Sequence, residues 1–378
     1  MTTSKHEPTL NPGDTLESLR KNIDQIDDQL LILLNQRATI AQKIGSIKAQ
    51  KSQKAYAPER ERQVLQRMVS ANPGPLANDG VRLIYKEIIS ASLALEGPIR
   101  VAFLGPEASF THLAAKRNFG MSALLQPGRT IANVFEDVER GRSEYGVVPI
   151  ENSIEGVVNH TLDMLMNSEL VICAEVLIEV SHFLLSRAGS LAAVEKVYSH
   201  PQALAQCRGW LDKNLPGIPH LDVSSTSRAA EMARDDEKSA AIASELAASM
   251  YSLQVLASYL EDVKGNMTRF WVIGHDRPKA TGKDRTSVMF ALKDAPGILY
   301  QALAAFSRYG INMSRIESRP SRRRAWDYMF FIDLEGHTSD GNVKAGIDAL
   351  QQACAFIKVL GSYPRGELEQ QTNRSLDA

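Results

Sequence analysis

The feature that most restricts the fold is a stripe of apolar residues spaced three and four apart near the N-terminus, with one arginine inside it. Leu16, Leu19, Ile23, Ile26, Leu30 and Leu33 lead to Arg37, and Ile40, Ile44 and Ile47 continue the stripe. That period belongs to a single long helix with a buried seam. From Thr15 to about Lys51 such a helix spans on the order of 55 Å at ~1.5 Å per residue, so it is expected to pack against a copy of itself. A guanidinium in the seam is costly unless paired. Alone, Arg37 reads as a polar residue that fixes helix register. Lys48 returns to within roughly 20° of Arg37 at about 100° per residue. Two cations then point into one apolar interior, and an anion pocket between helices becomes the better reading.

The next segment continues the helical pattern. A break at Lys54 to Pro58 precedes a helix from Pro58 to Ser70, with Val64, Leu65 and Met68 inward. A turn at Pro73 and Pro75 leads to a third helix from Val81 to Leu95. Along it Ile84, Ile88, Ser92 and Glu96 share a face that turns from apolar to polar, aiming Ser92 and Glu96 at the same pocket.

At 378 residues the chain has room for two or three domains. Its 44% apolar and 23% charged content is that of an ordinary globular protein. Residues 1–14 lack an apolar core and read as a flexible tail, not a signal peptide; residues 366–378 read as a second tail. Cys173, Cys207 and Cys354 are scattered, which argues against a disulfide framework and a zinc site and for the cytoplasm. A net charge of -1 leaves no electrostatic footprint for nucleic acid. No membrane span, GxGxxG or Walker A pattern is present.

The texture changes at Gly97-Pro98. A strand over Ile99 to Leu104 ends in Gly105-Pro106, and Ser109 opens a helix from Phe110 to Phe119. Further strands are expected at Tyr145 to Pro149, Val171 to Val176, His182 to Leu185, Lys196 to Ser199 and Ala240 to Ile242. This alternation indicates an α/β domain with mainly parallel sheets and a ligand beyond the carboxyl ends of its strands. Glu151, Asn152 and Ser153 stand at one such end, and His200, Pro201 and Gln202 at another. Ser225-Thr226-Ser227 and Thr268-Arg269-Phe270 add polar groups. Each run alone also fits a helix cap; convergence in one cleft is the functional expectation. From Asp284 the order of elements is βαββαβ, a ferredoxin-like pattern. The strands are Thr286 to Leu292, Ile311 to Glu317, Trp326 to Leu334 and Phe356 to Leu360; the helices are Ile298 to Tyr309 and Asp340 to Cys354. Residues 278–284 read as a linker, and Arg322, Arg323 and Arg324 as a solvated hairpin tip.

In order, these parts resemble the bifunctional chorismate mutase/prephenate dehydratase family. The likeness rests on Arg20, Arg37, Lys48 and Arg60-Glu61-Arg62, then GPEASF, VVPIENS, YSHPQ and TRF, then GINMSRIESRP, and covers residues 15 to 365. It implies an all-α three-helix mutase domain that intertwines as a homodimer (15–97), a dehydratase of periplasmic-binding-protein-like α/β architecture (98–278) and a ferredoxin-like ACT domain sensing phenylalanine (284–365). Chorismate is a dianion that rearranges in one pericyclic step, which needs cations for its carboxylates and a donor at the ether oxygen. By resemblance Arg37 and Arg20 take the carboxylates, Lys48 and Glu96 address the ether oxygen, and Arg60, Glu61 and Ser92 complete the pocket. Arg20 lies roughly 100° around the helix from Arg37, so it is expected from the partner chain. Ala57 stands where relatives often have aspartate, leaving only its backbone.

Prephenate must lose a ring hydroxyl and carbon dioxide, and the resemblance assigns the proton donor to Thr268. A lone threonine is a weak acid, so a polarising neighbour is required. Glu151, Asn152, Ser153, His200, Gln202, Ser225, Thr226, Arg269 and Phe270 are the remaining dehydratase residues. Gly297, Ile298, Leu299, Asn312 and Glu317-Ser318-Arg319-Pro320 form the implied effector site, with Ile298 and Tyr300 bulkier than the usual pattern. Neither reaction implies a metal or organic cofactor. Two other readings stand beside this one: a dehydratase whose helical domain only dimerises, and a non-catalytic ACT-type amino-acid sensor. Where relatives carry glutamine this chain has Glu96, which donates only when protonated. Mutase turnover is therefore expected to fall as the pH rises and the carboxyl ionises. Glu96→Gln should abolish that fall, and an unchanged profile in the variant would remove Glu96 from the site.

Overall fold

The computed structural model describes residues 14–51, 56–320 and 328–367. Most of both expected tails and Arg322 to Arg324 lie outside the described residues. Three helices open the chain: α1 (Leu16–Gln50), α2 (Pro58–Ser70) and α3 (Asn78–Ala94). The start of α1 is set by a capping box, in which Thr15 Oγ1 accepts from the Ser18 N–H at 3.1 Å and Ser18 Oγ from the Thr15 N–H at 3.0 Å. Pro58 fixes the first turn of α2. No residue of α1 is buried within one protomer. Its apolar seam, from Leu16 to Ile47, faces solvent.

The middle domain begins with β1 (Arg100–Leu104), α4 (Phe110–Phe119), β2 (Leu124–Gly128), α5 (Ile131–Glu139), β3 (Tyr145–Asn152), β4 (Gly156–Val157), α6 (Asn159–Asn167) and β5 (Val171–Glu179). The chain then crosses into a second lobe. That lobe comprises β6 (Phe183–Ser186), β7 (Lys196–Ser199), α7 (Pro201–Gln206), α8 (Arg208–Asn214), β8 (His220–Asp222), α9 (Thr226–Asp235), β9 (Ser239–Ala243), α10 (Glu245–Tyr251) and β10 (Gln254–Ser258). A second crossover returns to the first lobe as β11 (Met267–Gly274). The first sheet has the order β2-β1-β3-β11-β5 and the second β10-β6-β9-β7-β8.

Both sheets are mixed, which corrects the expectation of mainly parallel ones. β11 runs antiparallel to β3 and β5, and in the other lobe β6 runs antiparallel to β9 and β10. The cause is the double crossover. The returning strand enters beside the point where β5 left, with Met267 opposite Glu179, so it must run backwards.

The last domain contains β12 (Asp284–Leu292), α11 (Ile298–Arg308), β13 (Met313–Pro320), β14 (Tyr328–Glu335), α12 (Gly341–Ala353) and β15 (Cys354–Pro364). It forms the expected βαββαβ unit with an antiparallel sheet ordered β13-β14-β12-β15. Residues 278–284 are not the loose linker the composition suggests. The Asp284 carboxylate accepts from the Thr281 and Gly282 N–H groups and the Thr281 hydroxyl at 2.7–2.9 Å, so β12 starts there, buried.

This last domain shares a core with the first lobe. Ile131, Ile172 and Trp271 pack in one cluster with Met289, Phe331, Leu360 and Tyr363. The contact is close: a Cβ added at Gly361 would stand 2.3 Å from the Ile172 carbonyl oxygen. All three cysteines are buried, and no disulfide joins them. Among the described residues no helix is long and apolar enough to cross a membrane.

His112 reports on the first lobe. Its Nδ1 accepts from the Ala108 N–H at 3.0 Å, and its ring stacks on Phe103. Burial, and then the charge of Lys116, lower its pKa from 6.5 to about 4. The unfolded chain therefore takes up this proton first as the pH falls. Stability from this group is complete above pH 6.5 and lost towards pH 4. Thermal unfolding across that window should show the loss, and His112→Gln should reduce it.

Candidate active sites

In the helical domain the structure unites four of the expected residues. Arg37 Nη1 donates to Ser92 Oγ and, at 3.3 Å, to the Ile88 carbonyl oxygen, while Ser92 Oγ donates to the same carbonyl at 2.7 Å. About three turns further along α1, Lys48 Nζ lies 3.4 Å from Glu96 Oε2, whose side chain is 6% exposed. The two cations do project from α1 on one face, and α3 meets them with Ser92 and Glu96.

Gly45, which the sequence pattern did not single out, makes that geometry possible. A Cβ there would fall 2.6 Å from Glu96 Cγ. A glycine within a long helix costs about 1 kcal/mol relative to alanine, so its presence in α1 was the signal available.

Four other expected mutase residues stand apart within one protomer. Arg20 is exposed and some 25 Å along α1 from Arg37 at ~1.5 Å per residue. Arg60 is exposed and donates to Gln63 at 3.4 Å. Ala57 acts through its backbone, its carbonyl accepting from the Arg60 and Glu61 N–H groups at 3.0 and 3.1 Å. Glu61 lines a cavity of about 650 Å³ where α2 and α3 meet β5 and the last domain, with Tyr56, Arg82 and Lys86. Burial raises its pKa, and Lys86 partly offsets this. The cavity contains none of Arg37, Lys48, Ser92 and Glu96, so its size does not mark the mutase chemistry.

In the two-lobed domain Asn152 and Thr268 are cross-strand partners on β3 and β11. Asn152 Nδ2 donates to Thr268 Oγ1 at 2.9 Å and to Asn266 Oδ1 at 2.7 Å. Its Oδ1 accepts from the Ile154 and Glu155 N–H groups, both at 3.0 Å. With the amide oxygen held by two N–H donors, the amide nitrogen has to face the threonine. An oxygen that accepts a hydrogen bond gives up its own proton more readily, so Asn152 polarises the Thr268 hydroxyl. Ser153 Oγ accepts from the Met267 N–H at 2.9 Å and donates to Asn266 at 3.4 Å, holding the strand ends together. Asn266 is 2% exposed and was missed; its only signal was its place two residues before Thr268.

The second lobe faces this edge with the carboxyl ends of β7, β8 and β9. Ser244 Oγ, just past β9, donates to the Ala108 carbonyl oxygen at 2.8 Å, tying it to the loop after β1. His200 and Ser225 are helix caps, His200 Nδ1 accepting from the Gln202 N–H at 3.3 Å and Ser225 Oγ from the Arg228 N–H at 3.0 Å. Thr226 begins α9 beside Ser225, half-buried. Gln206, also missed, joins the lobes. Its Nε2 lies 3.5 Å from Glu155 Oε1, and its Oε1 lies 2.8 Å from His182 Nε2 on the first crossover.

Glu151, Arg269 and Phe270 depart from the substrate-binding expectation. Phe270 is 1% exposed in the core beneath β1 and β3. Arg269 turns to the back of the sheet, where Nη2 is 2.8 Å from Glu175, Nη1 is 2.6 Å from Asp333 and Nη2 donates to the Tyr363 hydroxyl at 3.2 Å. Burial acts against its charge, but Tyr363, Asp333 and Glu175 outweigh it and raise its pKa. Glu151 Oε2 lies 3.3 Å from Arg315 Nε on β13. Alternation along a strand explains Glu151 and Arg269, the neighbours of Asn152 and Thr268; Phe270 shares the Thr268 face but sits deeper, in the core.

In the last domain Gly297 adopts φ 73° as it opens α11, the left-handed region that glycine reaches without strain. Ile298 and Leu299 follow it. Tyr300 is 78% exposed, so it does not narrow a pocket within one protomer. Asn312 precedes β13, its carbonyl accepting from the Glu335 N–H at 2.9 Å, and Glu317, Ser318, Arg319 and Pro320 end that strand. Arg319 Nη2 pairs with Asp163 on α6 at 3.0 Å.

Three family models match the chain: chorismate mutase type II over residues 19–97, prephenate dehydratase over 101–278 and the ACT domain over 286–350. The bifunctional chorismate mutase/prephenate dehydratase of Aquifex aeolicus (strain VF5) is 49% identical over 361 residues, spanning 94% of this chain and 100% of that one. The same enzyme of Pseudomonas aeruginosa is 42% identical over 361 residues, spanning 94% and 99%. Among solved structures, prephenate dehydratase from Arthrobacter aurescens in complex with L-Phe has a TM-score of 0.65 at 35% identity, over 71% of this chain and 90% of that one. The chain belongs to the bifunctional chorismate mutase/prephenate dehydratase family.

Proposed function

We propose that the two constellations run successive reactions, chorismate to prephenate on the helices and prephenate to phenylpyruvate between the lobes. The observation that carries this reading is that both occur intact in one chain: Arg37 with Ser92 and Lys48 with Glu96 across α1 and α3, and Asn152 on Thr268. An inert helical domain would not need the Lys48–Glu96 pair, nor a mere sensor a polarised threonine.

On the helices, Arg37 holds a carboxylate of the dianion, and Lys48 with Glu96 meets the ether oxygen as its bond breaks. The exposed seam of α1 is covered by a second copy, whose Arg20 completes the pocket. A homodimer in the cytoplasm is part of the same reading. Between the lobes, Thr268 Oγ gives its proton to the departing ring hydroxyl, which leaves as water. The bond to the ring carboxylate breaks to release carbon dioxide, and its electron pair completes the aromatic ring. Asn152 stabilises the oxygen left on Thr268. Phenylalanine, which the Arthrobacter aurescens relative binds, is the effector, seated between two ACT domains at Gly297 to Leu299, Asn312 and Glu317 to Pro320. Leu299 and Ile316, 38% and 44% exposed, are surfaces such a partner would cover.

Feeding chorismate and then prephenate, and following phenylpyruvate with and without phenylalanine, tests all three parts. Failure of either substrate to be consumed removes that reaction, and indifference to phenylalanine removes the regulation. Gly45→Ala gives a sharper check. It favours the α1 helix by about 1 kcal/mol yet displaces Glu96 from Lys48. Mutase kcat/KM should fall about 100-fold while prephenate turnover is retained; an unaffected mutase rate would sink the Lys48–Glu96 assignment.

A further inference from the structure

Behind the dehydratase cleft two strand pairs from different domains face each other with opposite charges. On the first, Arg269 of β11 is the cross-strand partner of Glu151 of β3, next to the Thr268 and Asn152 pair. On the second, Arg315 of β13 is the partner of Asp333 of β14. The charges meet across the interface: Arg269 with Asp333 at 2.6 Å, Arg315 with Glu151 at 3.3 Å, and Arg269 with Glu151 at 3.8 Å. Glu175, paired with both Arg269 and Arg285, extends the set.

The two links differ in strength. Asp333 is 1% exposed and also accepts from Ser287 Oγ, so the Arg269 link is well satisfied. The Arg315 side chain is only 8% exposed, yet its nitrogens make no hydrogen bond among the described residues and Glu151 is its counter-charge. An enclosed guanidinium with one ion pair is a poorly satisfied group, easily shifted by a small movement of its strand. That strand, β13, runs on into Glu317 to Pro320, where Arg319 grips Asp163. The receiving side can also respond, because β3 and β11 shift register between Arg269 and Phe270. Such a bulge re-aims neighbouring side chains with little loss of pairing.

We propose that Glu151 and Arg269 are positioning residues of the dehydratase, held from behind by Arg315 and Asp333, so that the place of β13 sets the alignment of Thr268 and Asn152. Movement of β13 away from β3 releases Glu151, relaxes the bulge and turns the threonine proton from the leaving hydroxyl. The effector arm of this inference rests on the phenylalanine reading above; the positioning arm does not.

The test uses the full chain carrying Arg315→Gln, Arg315→Lys or Glu151→Gln, with mutase rate and melting temperature as controls of folding. Arg315 lies behind the sheet, so its loss should leave prephenate KM unchanged. Dehydratase kcat in Arg315→Gln should fall about 10- to 100-fold at unchanged mutase rate. Arg315→Lys should recover part of the loss, and Glu151→Gln should match Arg315→Gln. Phenylalanine should still bind Arg315→Gln by calorimetry but inhibit what activity remains far less than in the wild type. Unchanged kcat in both glutamine variants would overturn the proposal. So would a raised KM at constant kcat in Glu151→Gln, which would make Glu151 a substrate ligand. A wild type indifferent to phenylalanine would remove the effector reading and leave the kcat comparison to decide the positioning role.

Discussion

Arg269 and Arg285 are shut away from water with Glu175 and Asp333, and their mutual neutralisation lets two domains share one core. Any one of these charges left alone would cost several kcal/mol; as a balanced set capped by Tyr363 and Ser287 they are tolerated beneath Trp271 and Phe331. The consequence is mechanical. A regulatory domain attached by a flexible linker would report to the catalytic sheet only through partner chains. Here the last domain bonds to the reverse side of the strands that present Asn152 and Thr268.

The helical domain follows a different logic. Its cations are satisfied within the protomer by Ser92, Ile88 and Glu96, while the apolar residues around them are not covered. A helix that exposes its whole seam is unfinished as a single chain, because apolar area left in water forgoes roughly 25 cal/mol per Å². The same geometry leaves Arg20 far from the pocket its type suits. The seam and the distant arginine point to the same remedy, a second α1 laid alongside the first.

Much of the candidate site was legible because its chemistry needs rare residue types in unusual places. An arginine and a lysine on one apolar face and a serine and glutamate on another are visible without coordinates, while Thr268 was singled out only through the TRF resemblance. What escaped was supporting chemistry done by ordinary residues. Gly45 matters for an atom it lacks, Asn266 for a bond to an amide, and Gln206 for a contact with a residue 51 positions away. Glu151 and Arg269 were read as facing substrate along with their neighbours Asn152 and Thr268. A one-residue step along a strand reverses direction, and nothing in the sequence said which of two neighbouring polar residues faced the cleft.

The sequence by itself determined the three-part order, the helices and strands of the first and last parts to within a few residues, and the two cation-bearing faces, since periodicity and capping are local properties of the chain; in the middle domain β2, β4, β8, β10 and β11 were not read from it. The tertiary structure alone decided that the middle sheets are mixed, that residues 278–284 are fastened by Asp284, and that the TRF arginine bonds Asp333 and Tyr363 of the last domain. These depend on which strand lies beside which and on which face meets another domain. Such pairings join residues a hundred or more positions apart, and local pattern carries no record of them.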